Sequence, residues 1–262
     1  MPSISTPLTA NDALNLLQKM DDIIPDCHDG SYERVRKTME FYIADNIQTL
    51  TFDDANLILY MAQINSVSTL QNRIKSSSLS SYSKGFLTAL VQDMEKFRQY
   101  YTNICSNMSH VGMFASMPKS LSVHGNAKTI VKLFAALKEI YSYRDPDPDL
   151  LYDRLGIIIE QKIPGVGPGL FSEFAHCLKP GFFPIVNGRV YENIRNVFRQ
   201  YNFPRSIDFP AYFDLCKKLN AYRNNSNCKF TNYRCLDVIV QLMEDRNNVL
   251  KPLVKINNIQ VL

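Results

Sequence analysis

A chain of 262 residues with 45% hydrophobic and 21% charged content is long enough for one large domain or two small ones around a real core. Its net charge of +4 is too mild to indicate nucleic acid by itself; only an uneven distribution of that charge would. No run of about twenty apolar residues is present, and residues 1–12 lack the basic and apolar regions of a secretory signal, so no membrane span is expected and an intracellular location, cytoplasm or nucleus, is.

Residues 1–8 read as a disordered N-terminus. Thr9 with Asp12 reads as a capped helix start, and Ala13, Leu16, Leu17, Met20, Ile23 and Ile24 fall on one helical face. Residues 25–30 break that helix. The spacing predicts a second helix over 31–48, with Val35, Met39, Tyr42 and Ile43 inward. A third starts at Thr51 with Asp54 and carries Leu57, Ile58, Met61 and Ile64. A short helix follows over 67–75. The serine cluster at 76–83 reads as a solvated connector. A long helix over 83–105 carries Phe86, Leu90, Met94, Phe97 and Tyr101 on one stripe, which reads as core. Residues 106–125 lack periodicity and hold Met108, Met113, Met117, His110 and His124; a long loop packed down by its methionines and a strand-probing wedge are both open readings.

Asn126 reads as the cap of a helix with Ile130, Leu133, Phe134, Leu137, Ile140 and Tyr141 inward. The Asp-Pro-Asp-Pro-Asp run at 145–149 is a boundary, with Pro148 starting a helix over 149–162 whose buried face is Leu155, Ile158 and Ile159. Residues 169–178 form the next helix, stopped by Lys179-Pro180-Gly181. Asn187 is placed to cap a helix over 188–200. Residues 204–210 connect to a helix over 211–222 carrying Phe213, Cys216 and Leu219. A polar break at 224–228 leads to a last helix over 231–246, with Cys235, Val238, Ile239 and Leu242 buried. The tail 253–262 reads as a lone strand or an extended arm.

Half of the ten glycines lie in one stretch: Gly165, Gly167, Gly169, Gly181 and Gly188. Pro164 precedes the first and Pro168 separates the next two. A Pro-Gly-x-Gly run between two helices makes a tight turn with exposed backbone. The helix after it opens with N–H groups that have no partner in the helix, which suits an anion, most simply a phosphate. From Ile163 to Arg205 the basic residues Lys179, Arg189, Arg195, Arg199 and Arg205 outnumber the acidic Glu173 and Glu192, and Arg195 and Arg199 are one helical turn apart. A positive rim fits phosphate neutralisation; a plain solvated face reads the same.

On these residues, about 150–198, the chain resembles the helix-hairpin-helix DNA glycosylase superfamily. The likeness runs through the Ile163–Gly167 turn, the helix after it, the apolar run Phe182–Val186 and the polar Asn187. The resemblance implies a wholly α-helical, DNA-glycosylase-like fold: an N-terminal bundle over 9–125, the helix-hairpin-helix region over 126–205, and C-terminal helices over 206–262 packing back onto the bundle. It implies duplex DNA as partner, held by main chain and side chains at Pro164, Gly165, Val166, Gly167, Gly169, Leu170, Lys179, Arg189 and Arg195. It further implies a monovalent cation at the main chain of Ile163 and Val166. Enzymes of the family carry an aspartate at the position of Asn187, and members that also cleave the strand carry a lysine at that of Gly169. An amide supplies no negative charge and a glycine no nucleophile, so the part that holds a backbone remains without the part that cuts a base. Asn187 and Glu173 are the catalytic candidates left.

Other chemistry finds no support. His28, His110, His124 and His176 form no H-E-x-x-H, and no P-loop or G-x-S-x-G is present. Cys27, Cys105, Cys177, Cys216, Cys228 and Cys235 form no C-x-x-C and read as free buried thiols. Cys228 and Cys235 have the spacing of the first pair of an iron–sulfur cluster seen in some members of the superfamily, but the tight second pair is missing, so no cofactor is expected. The reading is a DNA-binding helix-hairpin-helix protein without glycosylase chemistry. A divergent base-excision enzyme with a non-standard acid, an interaction module that joins a protein partner in a DNA repair or restriction-type complex, and a helical scaffold are the alternatives.

Overall fold

The computed structural model describes residues 8–19, 36–37, 39–41, 67–77, 79–92, 127–160, 162–225 and 232–243. Among them the chain is all α. The named helices are α1 (Ala10–Lys19), α2 (Val67–Ser76), α3 (Ala127–Ser142), α4 (Asp149–Ile159), α5 (Pro168–Leu178), α6 (Gly188–Val197), α7 (Phe209–Asn225) and α8 (Arg234–Leu242). A 3-10 turn covers Arg199–Tyr201, and residues 36–37, 39–41 and 81–92 are also helical. The one β-type pairing among the described residues is an isolated bridge between Ile163 and Val166. The readings at 1–7, 25–30, 51–64, 106–125, Asn126, 226–231 and 253–262, and at Cys27, Cys105 and Cys228, lie outside the described residues.

Helix starts follow from local chemistry. The Thr9 amide and hydroxyl both donate to Asp12 Oδ2, at 3.0 and 2.6 Å, and the Asp12 amide donates to Thr9 Oγ1 at 3.2 Å. This reciprocal box fixes the first turn of α1. The serine connector proves shorter than expected. Ser77 Oγ donates to Ile74 O at 2.7 Å, closing α2, and Ser80 Oγ accepts the Ser83 amide at 3.2 Å, opening the next helix at residue 81. α7 begins at Phe209 rather than 211 because Asp208 caps it, accepting the Ala211 amide at 2.9 Å. Pro210 sits in that first turn, where its missing N–H costs nothing. α4 stops at Ile159, before the expected 162, because Glu160 takes a positive φ of 58°. α6 stops at Val197 rather than 200, and the chain tightens into the 3-10 turn ended by Asn202 at φ 52°.

The helices pack around α5. Every residue from Leu170 to Cys177 is buried, so this helix has no solvent face along its middle and passes through the interior. α3 lies against both α4 and α5, and α7 lies against α4. The Phe171 ring meets Phe209, Tyr212 and Phe213 edge-on at 5.5, 6.3 and 6.3 Å. α1 packs on α6 and α8, which places the N-terminal Ala13, Leu16 and Leu17 in one buried cluster with Ile194, Ile239 and Val240. The expected inward residues Ile158 and Tyr141 are only partly buried, whereas Tyr152, absent from the expected face, is fully buried.

The segment between α5 and α6 explains that tyrosine. Residues 183–186 are buried but form neither helix nor strand, so their peptide groups need partners from elsewhere. Five consecutive carbonyls receive one each. The Tyr233 amide donates to Pro180 O at 2.8 Å. Arg223 Nη1 donates to Gly181 O at 2.6 Å, and the Tyr152 hydroxyl to Phe182 O at 2.5 Å. His176 Nδ1 donates to Phe183 O at 2.8 Å, and the Tyr212 hydroxyl to Pro184 O at 3.0 Å. Beyond them the Val186 amide donates to Ser172 Oγ at 3.1 Å. Burial pushes the Tyr152 and Tyr212 hydroxyls well above the ordinary phenol range, so both stay protonated donors.

Removing one donor leaves a buried carbonyl unpaired, which costs roughly 1–3 kcal/mol. Tyr212→Phe and Tyr152→Phe are each expected to lower unfolding free energy by that amount in urea titration, and Tyr82→Phe, on a side chain 72% exposed, to leave it unchanged.

Candidate functional site

The turn between α4 and α5 is built by its neighbours. Gly165 takes a φ of 77°, which closes the bend, and the Val166 amide donates to Ile163 O at 3.0 Å. Ile163 and Val166 turn their side chains into the core. From α3, the buried Thr129 hydroxyl donates to Pro164 O at 2.9 Å and pins the turn to that helix. α5 then starts with Gly167 as its N-cap and Pro168 at the first position, and no side chain caps it.

Gly167 is exposed, and a Cβ added to it meets nothing within 4 Å. Its φ of −89° suits any residue. No packed neighbour therefore requires a glycine there. Of the expected contact stretch 166–170, Val166 N is already committed to Ile163, and Pro168 has no N–H. The amides of Gly167, Gly169 and Leu170 are left at the helix start, at the positive end of the α5 dipole.

Of the expected cation ligands, Ile163 O accepts the Val166 amide; the neighbouring Pro164 O accepts the Thr129 hydroxyl. Among the described residues no group of three or more His, Cys, Asp or Glu is placed to hold a metal ion.

Asn187 occupies the N-cap position of α6 with extended backbone, as expected, but its side chain does not cap the helix. Its Nδ2 donates instead to Glu173 Oε1 at 2.9 Å. Glu173 lies in the second turn of α5 and is 0% exposed; a buried carboxylate of this kind needs such donors. The two residues read as catalytic candidates therefore touch each other. Asn187 is half-buried. This contact draws the start of α6, with exposed Gly188 and Arg189, alongside the N-terminal half of α5, since Glu173 is only about 9 Å along the axis from Gly167.

The expected basic rim divides. Lys179 is the C-cap of α5, about 18 Å along the helix from Gly167. Its Nζ rests over the Phe182 ring at 5.2 Å, and burial, then the nearby Arg144 charge, lowers its pKa. Lys179 thus belongs to the opposite end of α5. Arg195 donates from Nε to Phe203 O at 3.1 Å and fastens the connector after the 3-10 turn. Arg189 is exposed in the first turn of α6. Tyr191 packs rather than stacks outward: it is buried, with its hydroxyl donating to Pro204 O at 2.7 Å.

Two lysines that the sequence reading passed over stand by the turn. Lys162 is exposed immediately before it. Lys132 of α3, one turn beyond Thr129, reaches Glu160 with Nζ 2.8 Å from Oε2. Lys162 lies one residue before the stretch Ile163–Arg205 in which basic residues outnumber acidic ones. Lys132 is 31 residues upstream of Ile163 and joins the turn only through the packing of α3.

His176, on α5 one turn past Glu173, is fully enclosed. Its Nδ1 faces Phe183 O, a pure acceptor, so Nδ1 carries the proton of a neutral ring. Burial, opposed by the Phe183 bond and helped by the Arg234 charge, lowers its pKa from 6.5 to about 3. Cys177, Cys216 and Cys235 are buried and in no disulfide. No helix among the described residues is long and apolar enough to cross a membrane.

Compared with models of known families, with curated proteins and with solved structures, the chain matches none.

His176 makes an acid dependence. Because its folded pKa is depressed, the unfolded chain binds the extra proton below pH 6.5, and stability falls as pH drops from 6.5 towards 3. Between pH 7 and pH 5 the loss is roughly 2 kcal/mol. His176→Asn, which keeps a donor and does not titrate, is expected to remove that slope in urea melts at the two pH values; equal slopes in both proteins would refute the assignment.

Proposed function

We propose that this chain is a divergent helix-hairpin-helix protein that binds duplex DNA through the sugar–phosphate backbone, without base excision. The observation that carries the reading is the open space at Gly167 before an uncapped α5. A phosphate there would meet the Gly167, Gly169 and Leu170 amides and the helix dipole. Arg189 and Lys162 would add charge from either side of the turn. Contacts of this kind position a protein on DNA and carry no base sequence.

Gly167→Glu tests the reading cleanly. The site accepts a side chain without strain or clash, so a loss of binding would report on the surface and not on folding. The variant is expected to lose duplex affinity at least tenfold in fluorescence anisotropy, with far-ultraviolet circular dichroism unchanged. Unaltered affinity would overturn the reading.

A second reading rests on the Glu173–Asn187 contact: a base-excision glycosylase in which Glu173 replaces the aspartate that the resemblance places at 187. The geometry weighs against it, because Glu173 is enclosed and Asn187 lies over it. Release of any damaged base from a duplex, abolished in Glu173→Gln, would put this reading first; no release from a panel of lesion duplexes is the expected result.

A further inference from the structure

The ion pair beside the turn has a consequence for how the turn meets its ligand. Thr129 fastens the first turn of α3 to Pro164. Lys132 is the next residue on that face of α3, three positions on. Its ammonium group ends on the carboxylate of Glu160, the residue after the last turn of α4. The 58° φ of Glu160 ends α4 and starts the chain towards Lys162 and the glycine turn.

Both partners are open to solvent, with side chains 31% and 73% exposed. An exposed pair of this kind is weak and screened by salt. The carboxylate presents to Lys132 two anionic oxygens, as a phosphodiester would. The hydrogen bond and charge of Lys132 also hold the Glu160 carboxyl below its usual range, so it remains an anion near neutral pH.

We infer that Glu160 occupies Lys132 in the free protein as an internal stand-in for phosphate, and that DNA backbone bound at the turn displaces it and takes Lys132 as a further contact. This rests on the DNA-binding reading above and adds to it a competitor within the chain. The exchange is inexpensive because the pair it breaks is weak and wet, and a new lysine–phosphate contact releases about one condensed counterion. Glu160, left beside the strand, opposes binding, so the pair lowers affinity for all duplexes alike.

The test compares Lys132→Ala, Lys138→Ala, Glu160→Gln and the Lys132→Ala/Glu160→Gln double variant on one fluorescent duplex over a range of salt. Lys138 is an exposed lysine on the same helix, about 9 Å further along, and controls for net charge. Lys132→Ala is expected to reduce the slope of log affinity against log salt by about 0.9, and Lys138→Ala to leave it unchanged. Glu160→Gln is expected to tighten binding several-fold, with a smaller gain in the Lys132→Ala background. An unchanged slope in Lys132→Ala, or an equal Glu160→Gln gain in both backgrounds, overturns the inference while leaving the turn's own role intact. Failure of the wild-type chain to bind in a salt-dependent way overturns both.

Discussion

Five carbonyls in a row, from Pro180 to Pro184, are each met by a donor from another element. The segment that carries them runs from a half-buried turn at 180–182 into the interior at 183–186 without a ladder of its own, and unpaired buried peptide groups would make that path untenable. The donors come from α4, α5, α7 and the start of α8. Each of these helices therefore has its position along the segment fixed by a directional bond, where apolar packing alone would allow sliding. The rings that carry the hydroxyls also fill the core, so Tyr152 and Tyr212 combine volume and direction in one side chain.

That arrangement determines what is presented at the surface. α5 is enclosed on all sides, tied through Ser172 to Val186 and through His176 to Phe183. Its register in turn brings Glu173 opposite Asn187. What α5 cannot bury is its N-terminal end, where the chain enters from the glycine turn. A rigid helix whose first amides are bare, seated on a turn held by Thr129, gives an anion a prepared surface and leaves little to reorganise on binding. At the place where the resemblance would put chemistry, the Asn187 amide donates to the Glu173 carboxylate.

The sequence made the local features legible. The Thr9–Asp12 box, the inward Leu133, Phe134, Leu137 and Ile140 of α3, and the turn itself all follow from spacings of a few residues. Residues that act across long separations were not legible. Asn187 had the type and place of a cap, yet Glu173, fourteen residues earlier, takes its amide instead. Tyr152 falls outside the face that spacing marks as buried, and its partner lies 30 residues on. Lys179 was assigned to the rim from proximity in sequence, although one buried helix carries it to the far end. Asp208 was overlooked because the two prolines around it suggested a connector, whereas a proline two residues past an aspartate is compatible with a helix's first turn.

The account stands on bare amides at the head of an otherwise enclosed helix. The most direct measurement is a titration of the isotopically labelled protein with duplex DNA, followed by amide proton and nitrogen shifts. The account predicts that Gly167, Gly169 and Leu170 move first and furthest, while the amides of Phe182, Phe183 and Val186 stay in place. Shifts centred on Asn187 and Glu173 with the turn unmoved, or none at the turn at saturating DNA, would contradict it.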